Sequence, residues 1–126
     1  MNMTKLGTMA ALPLLVASAG LMATAPAAGA ATSAAAACTH PAWQNKSGGE
    51  GTAAGSTALV RTGPSADCGV TAEVGTSVTL FYHCWVTNSA GNKWTHVRIN
   101  GTQINGWVYN GNLDDGGSQA ADNQCS

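Results

Sequence analysis

VTLFYHCWV (78–86) is followed by NSAGNK (88–93), WTHVRI (94–99), NGTQ (100–103) and INGWVY (104–109). These five pieces predict three strands joined by two tight turns. The second turn opens with Asn100-Gly101, a strong hairpin signal because both residues tolerate a positive φ. The stretch also contains every aromatic residue of the chain except Trp43. The rest of the chain is therefore expected to be organised around it.

Apolar and polar positions alternate along residues 78–86, which is the period of a strand with one buried face. The face expected in the core carries Val78, Leu80, Tyr82, Cys84 and Val86. The outer face carries Thr79, Phe81, His83 and Trp85. Three successive rings on an outer face are unusual, and they indicate exposure of Phe81 and Trp85. In the next strand Val97 and Ile99 share a face, so Trp94 should lie on the opposite one.

Two shorter strands are predicted upstream. Residues 57–62 (TALVRT) form the first, which ends at Gly63-Pro64-Ser65 because proline fixes φ and has no backbone donor. Residues 70–74 form the second. No helical period appears after residue 30, so five short strands separated by turns predict a small β-barrel or sandwich. Residues 40–55 are predicted to be a loop in which Trp43 covers an open edge of the core.

The N-terminus has the features of a secretory signal peptide. Lys5 precedes an apolar run from Leu6 to Met22, and Ala28-Gly29-Ala30 fits a cleavage motif. Cleavage is expected after Ala30, with an uncertainty that extends to about residue 37. A membrane anchor is the alternative, but glycine and proline interrupt the run, and a span needs about 20 strongly apolar residues. Acylation of Cys38 is a third option, although Ala35 stands where leucine is usual.

The expected mature chain carries little charge. Without Lys5 it keeps four lysines and arginines against six aspartates and glutamates, a net charge of −2. Such a chain has no basic stripe for nucleic acid. Because charged residues make up only 9% of the sequence, a ligand is expected to be held by hydrogen bonds and aromatic faces.

All the cysteines follow the expected cleavage site: Cys38, Cys68, Cys84 and Cys125. An even count in a small exported chain indicates disulfide bonds. Three pairings are possible, and we expect Cys68–Cys84 together with Cys38–Cys125. The first would join a turn to the centre of the long strand, and the second would tie the ends of the mature chain. In the chain-entropy treatment the short loop contributes about 3 kcal/mol, and the long loop contributes somewhat more than about 4 kcal/mol.

Several segments resemble the bacterial SH3 family. Leu59–Ser65 (LVRTGPS) is similar to that family's LNVRSGPS start, and residues 70–75 and 78–86 match its next two strands. Trp94–Arg98 is similar to its W-x-K-V segment, and Gly106–Val108 followed by a leucine is similar to its closing G-W-V…L. Together these segments cover about half of the chain in the family's order. The signal and the cysteines resemble the secreted, stand-alone version found in actinobacteria.

The resemblance implies a partly open, five-stranded SH3-like barrel with disulfides. The expected organisation is a signal peptide (1–30), a flexible N-terminal segment (31–55), the barrel (56–114) and a C-terminal tail (115–126) tied by Cys125. The resemblance also implies binding of cell-wall peptides or peptidoglycan, commonly beside a hydrolase. No room is expected for a fused hydrolase after the signal.

The predicted ligand-binding residues are five aromatics: Phe81, Trp85, Trp94, Trp107 and Tyr109. Rigid rings stack on peptide backbone or on sugars at low entropic cost, and the polar atoms of tyrosine and tryptophan orient the ligand. The alternative is that these rings complete a small core. For Tyr82 that alternative is expected to hold.

No catalytic, metal or cofactor site is predicted. His83 and His96 fall on neighbouring strands, but neither convergent carboxylates nor a repeated ligand spacing accompanies them. A Cys84 nucleophile would need a free thiolate, which an even cysteine count after export argues against. No serine has the G-x-S-x-G context of a nucleophile elbow.

The sequence therefore predicts a secreted, monomeric, non-enzymatic module that binds a cell-wall peptide or peptidoglycan through an aromatic groove. It is expected to be extracellular or wall-associated, without a nucleic-acid partner and without membrane contact after signal cleavage. The alternative is an interaction or inhibitor protein that presents a loop, residues 88–93 or 40–55, to a protein partner. A role as accessory to a cell-wall hydrolase is a further alternative.

Overall fold

The computed structural model describes residues 36–126. The expected signal peptide lies outside the described residues. The described part confirms the all-β prediction, and none of its helices is long and apolar enough to cross a membrane. Its strands are β1 (Glu50–Gly51), β2 (Thr57–Arg61), β3 (Val70–Gly75), β4 (Leu80–Thr87), β5 (Lys93–Ile99) and β6 (Asn105–Tyr109). Short 3₁₀ turns follow at Asn110–Asn112 and Ala121–Asn123.

The strands form one antiparallel sheet in the order β1-β4-β5-β6-β2-β3. Its centre is the predicted run of three strands with two tight turns. The first turn closes where Asn88 O accepts from Gly91 N and Asn92 O from Asn88 N, both at 2.9 Å, and Gly91 has φ 85°. In the second turn Gly101 has φ 81°, a region that glycine occupies without strain. These turns confirm the two hairpins.

One face of the sheet carries the apolar core. β2 pairs with β3 on one side and meets β6 on the other, through Arg61 and Trp107. The first strand of the predicted barrel is therefore a neighbour of the last. The core contains buried side chains from each of the strands β2 to β6: Val60, Val74, Leu80, Tyr82, Val97, Ile99 and Val108. Complete burial of a valine or leucine contributes about 1.5–3 kcal/mol, so this cluster is the main source of stability.

A β-bulge at His83 interrupts the predicted alternation of β4. Tyr82 pairs with Val97, whereas Cys84 pairs with the next residue back along β5, His96. Two steps along β4 are therefore opposite one step along β5. Beyond the bulge, each side chain of β4 lies on the face opposite the one that regular alternation would give it. Cys84 thus shares a face with His96 and not with Tyr82. The prediction of a single unbroken alternation from Val78 to Val86 is wrong for this reason.

The disulfides are Cys38–Cys68 and Cys84–Cys125, with Cα atoms 4.9 Å and 5.1 Å apart. All four cysteines are bridged, as expected, but the expected pairing is wrong. The bulge explains the difference, because it turns Cys84 away from the core face. There it meets the C-terminal segment, whose Cys125 N–H donates to Trp85 O over 2.8 Å.

Residues 36–49, here called the strap, lie along the face of the sheet opposite the core. The N–H groups of Lys46 and Ser47 both donate to His83 O over 2.8 Å, and Gly49 O accepts from Tyr82 N. The sequence predicts a flexible segment here, but the structure docks it on β4 and continues it into β1. The C-terminal tail, expected to be loose before Cys125, is also docked: Ser118 N donates to Thr95 Oγ1.

Candidate functional site

The face opposite the core, here called the outer face, carries most of the rings. In β5 the side chains of Trp94, His96 and Arg98 alternate with the buried Thr95 and the core residues Val97 and Ile99. Their partners in β6 are Tyr109, Trp107 and Asn105. The expectation that Trp94 lies on the face opposite Val97 and Ile99 is confirmed. The strap crosses the outer face.

His83 and His96 form a hydrogen-bonded pair on the outer face, with their Nδ1 atoms 2.8 Å apart. One Nδ1 donates and the other accepts, so the two neutral rings are opposite tautomers. The bulge puts His83 in this position, because His83 is the extra residue of β4 and has no paired residue in β5. The pair is therefore a consequence of local backbone geometry.

The rings of two tryptophans contact the histidine pair. The ring of Trp43 in the strap stacks on both imidazoles, with centroids 4.7 Å from His83 and 4.0 Å from His96. Trp107 meets His96 edge-on, with centroids 4.9 Å apart. Aromatic contacts of this kind contribute about 0.5–1.5 kcal/mol each beyond area burial. They hold the indole of Trp43 in one orientation.

Burial keeps the pair uncharged. It lowers the pKa of His96 to about 3, an effect that the charge of His83 strengthens and a hydrogen bond with Asn105 opposes. The pKa of His83 is also lowered, first by burial and then by the positive charge of Arg98. A base with so low a pKa is protonated too rarely near neutral pH to shuttle protons. The pair is suited to positioning Trp43.

Beside this cluster lies a surface pocket of about 620 Å³, here called the Trp pocket. Trp43 is 42% exposed, so part of its ring remains open to a ligand, whereas Trp107 is 2% exposed. The polar side chains that line the pocket are His40, Thr62, Thr71, His96 and Asn105. Among residues 36–126, no Asp, Glu, Lys or Arg lines the pocket. The pocket thus offers aromatic surface and uncharged hydrogen-bonding groups.

The five predicted binding residues do not lie in one groove. Trp107 lines the Trp pocket, and Trp94 and Tyr109 line a different pocket on the outer face. Phe81 lies under the guanidinium of Arg98, 5.1 Å away, beside a third pocket.

The expected exposure of Trp85 is wrong. The side chain is 8% exposed, and its indole N–H donates to Ala120 O in the docked tail over 2.8 Å. The backbone N–H of Cys125 donates to the carbonyl oxygen of Trp85. Tyr82, by contrast, belongs to the core as expected, and its hydroxyl donates to Asp115.

Sequence reasoning missed three members of the site: Trp43, His83 and His96. Trp43 was expected to cover an edge of the core, but it stacks on the histidine pair. The one signal for it was an isolated tryptophan in a glycine-rich loop. The bulge that brings the histidines together has no signature in the sequence, since β4 reads as an unbroken strand.

Within residues 36–126, no three His, Cys, Asp or Glu side chains converge as they would around a metal ion. Comparison with known proteins gives no matching family model, no matching curated protein and no matching solved structure. The function is therefore argued from the geometry.

Proposed function

We propose that the protein is an exported, non-catalytic binding domain of the bacterial SH3 type, and that it holds a peptide or glycopeptide of the cell envelope in the Trp pocket. The observation that carries the proposal is the indole of Trp43, which is 42% exposed beside the pocket while its ring stacks on two imidazoles. A ring fixed before binding loses little entropy when a ligand stacks on it. This is the arrangement of a recognition surface.

The lining of the Trp pocket favours an uncharged ligand. Thr62, Thr71 and Asn105 offer hydroxyl and amide groups, and Trp43 and Trp107 offer apolar surface. Peptide backbone with small side chains and sugar rings both present alternating polar and apolar atoms to such a surface. Both occur in peptidoglycan, which makes this polymer the proposed ligand.

The strand order supports an SH3-like barrel as part of the proposal. β2 lies between β6 and β3, and one core takes residues from each of the strands β2 to β6, which is the arrangement expected of a sheet curved around its core. No ladder joins β3 to β4 within the described residues, which would leave the barrel partly open. The motifs LVRTGPS and G-W-V fall on β2 with the turn after it, and on β6.

Export is supported by the cysteines and by the N-terminal sequence. Two disulfides indicate an oxidising compartment, where such bonds persist. Lys5 followed by an apolar run and Ala28-Gly29-Ala30 is the pattern of a cleaved signal. Both fit a protein that meets its ligand outside the membrane.

Sedimentation with purified peptidoglycan tests the proposal. The wild-type protein is expected to sediment with the polymer, and Trp43→Ala is expected to weaken binding about tenfold, because ring stacking worth about 1.4 kcal/mol is lost. Phe81→Leu is the control, since Phe81 lies outside the Trp pocket. Circular dichroism checks that each variant is folded. A wild-type protein that stays in the supernatant, or a folded Trp43→Ala variant that binds equally well, contradicts the proposal.

A further inference from the structure

A second pocket of about 370 Å³ lies on the outer face, here called the Arg pocket. Its apolar wall is formed by Leu59, Trp94 and Tyr109, and the two rings meet at 55° with centroids 5.7 Å apart. Tyr109 is 37% exposed, so its phenol is open to a ligand. The Arg pocket and the Trp pocket share no lining residue.

Arg61 is the one charged residue that the described part of the chain contributes to the lining of the Arg pocket. Its Nη1 donates to Cys68 O over 2.8 Å, which fixes the guanidinium and uses one of its five N–H donors. No acidic side chain from residues 36–126 lines the pocket to neutralise it. A fixed guanidinium beside aromatic walls is a site for a planar anion, which it binds through two parallel hydrogen bonds.

Two asparagines, Asn92 and Asn112, line the pocket together with this cation. Each carries an amide with N–H donors and a carbonyl acceptor. The indole nitrogen of Trp94 has no hydrogen-bond partner among residues 36–126, but it is closed to solvent, so the ring of Trp94 contributes apolar surface to the pocket. The pocket therefore combines one positive charge, neutral amides and an apolar wall.

We propose that the Arg pocket binds the free C-terminal carboxylate of a peptide. Arg61 holds the carboxylate, and the last side chain of the peptide packs on Trp94 and Tyr109. A single carboxylate matches the single cation, whereas a phosphate dianion would leave one charge unpaired. This site differs from the Trp pocket in place and in charge, so either of the two binding proposals can be wrong while the other holds.

Titration with short peptides tests the inference on the wild-type protein. The probes are N-acetyl-Ala-Ala-Ala with a free carboxylate, the same peptide as its C-terminal amide, and N-acetyl-Ala-Asp-Ala-amide, whose only carboxylate is on a side chain. The free acid is expected to shift the NMR signals of Trp94 and Tyr109 and to bind at least about tenfold more tightly than the amide, because a charge-assisted pair is lost. The aspartyl peptide is expected to bind as weakly as the amide.

Three arginine variants separate the site from general charge. Arg61→Gln should weaken binding of the free acid about tenfold, to the level of the amide. Arg98→Gln is the matched control, because Arg98 also donates Nη1 to a backbone carbonyl, Thr102 O, but lines a different pocket. Arg61→Lys keeps the charge and loses the planar fork, and an intermediate affinity is expected.

Equal affinity for the acid and the amide overturns the inference, and so does an equal loss in the two glutamine variants. The absence of any shift with up to about 10 mM free acid also overturns it, since binding weaker than this is negligible. Preference for the aspartyl peptide would assign the pocket to acidic side chains instead. If Arg61→Gln does not fold, the comparison of acid with amide on the wild-type protein still decides. Peptidoglycan binding that depends on Trp43 is unaffected by any of these outcomes.

Discussion

At the scale of single residues, the histidine pair decides where the site is. One hydrogen bond joins the Nδ1 atoms of His83 and His96 over 2.8 Å, and both rings are buried. Each ring therefore satisfies a buried polar atom of the other without any charge. The flat surface that results supports Trp43, whose ring contacts both imidazoles. The pair thus links a bulge in β4 to the shape of the Trp pocket.

The same pair predicts acid sensitivity. Burial lowers the pKa of His96 from 6.5 to about 3. Above pH 6.5 the folded and unfolded chains bind the same protons at this residue, but below it only the unfolded chain becomes charged. The free energy of unfolding should therefore fall as the pH decreases from about 6.5 toward 3, by up to about 1.4 kcal/mol per pH unit for each such histidine.

Urea unfolding at several pH values between 7 and about 3.5 measures this slope. His96→Gln should flatten the decrease, since it removes the titrating group. His40→Gln is the control, because it removes a histidine of the strap that lies outside the hydrogen-bonded pair. Parallel pH profiles for the wild-type protein and His96→Gln would show that the pair does not cause the decrease.

At the scale of elements, local sequence signals were sufficient for the strands β2 to β6, whereas the two-residue β1 lies in a segment predicted to be a loop. The alternation in β4 and the Asn-Gly turn predicted the three central strands because both are local properties of the chain. The bulge at His83 depends instead on how β4 pairs with β5, which local alternation does not encode. Three errors of prediction involve the residues after it: the burial of Trp85, the direction of Cys84 and the pairing of Cys84 with Cys125.

The contact between β2 and β6 depends on a glycine. A Cβ atom at Gly106 would lie 2.5 Å from Arg61 O and 2.8 Å from Val60 Cγ1, so the two strands would have to separate. Gly106→Ala is expected to destabilise the fold by about 1–3 kcal/mol, the range for overpacking. Gly69→Ala is the matched control, because a methyl group there would have no other atom within 4 Å and the φ of Gly69 is not positive. Urea unfolding of both variants checks the difference, and equal stabilities would contradict the close approach.

At the scale of the whole molecule, the two disulfides attach the strap and the C-terminal tail to the sheet. Cys38–Cys68 ties the start of the strap to the turn after β2, and Cys84–Cys125 ties the tail to β4. Gln44 joins the strap to the tail, since its side chain bonds Ser126. The sequence predicted bridged cysteines from their even number. It did not predict the pairs, because they depend on which face each strand presents.

The two bridges should have similar effects on stability but different effects on the Trp pocket. Their sequence separations are 30 and 41 residues, so the chain-entropy treatment gives about 4 kcal/mol for each. Loss of Cys38–Cys68 frees the strap five residues before Trp43, which forms a wall of the pocket. Cys38→Ala/Cys68→Ala is therefore expected to lose peptidoglycan binding together with hydrogen-exchange protection at Lys46 and Ser47. Cys84→Ala/Cys125→Ala has a similar loop length and should be destabilised at least as much, because Cys84 is fully buried. It also loses the Cys84 Sγ acceptor of Gln44 N, but the strap stays tied at Cys38, so this variant should bind more tightly than Cys38→Ala/Cys68→Ala wherever both are folded. Equal binding by the two folded double variants would show that the Cys38–Cys68 bridge does not position Trp43.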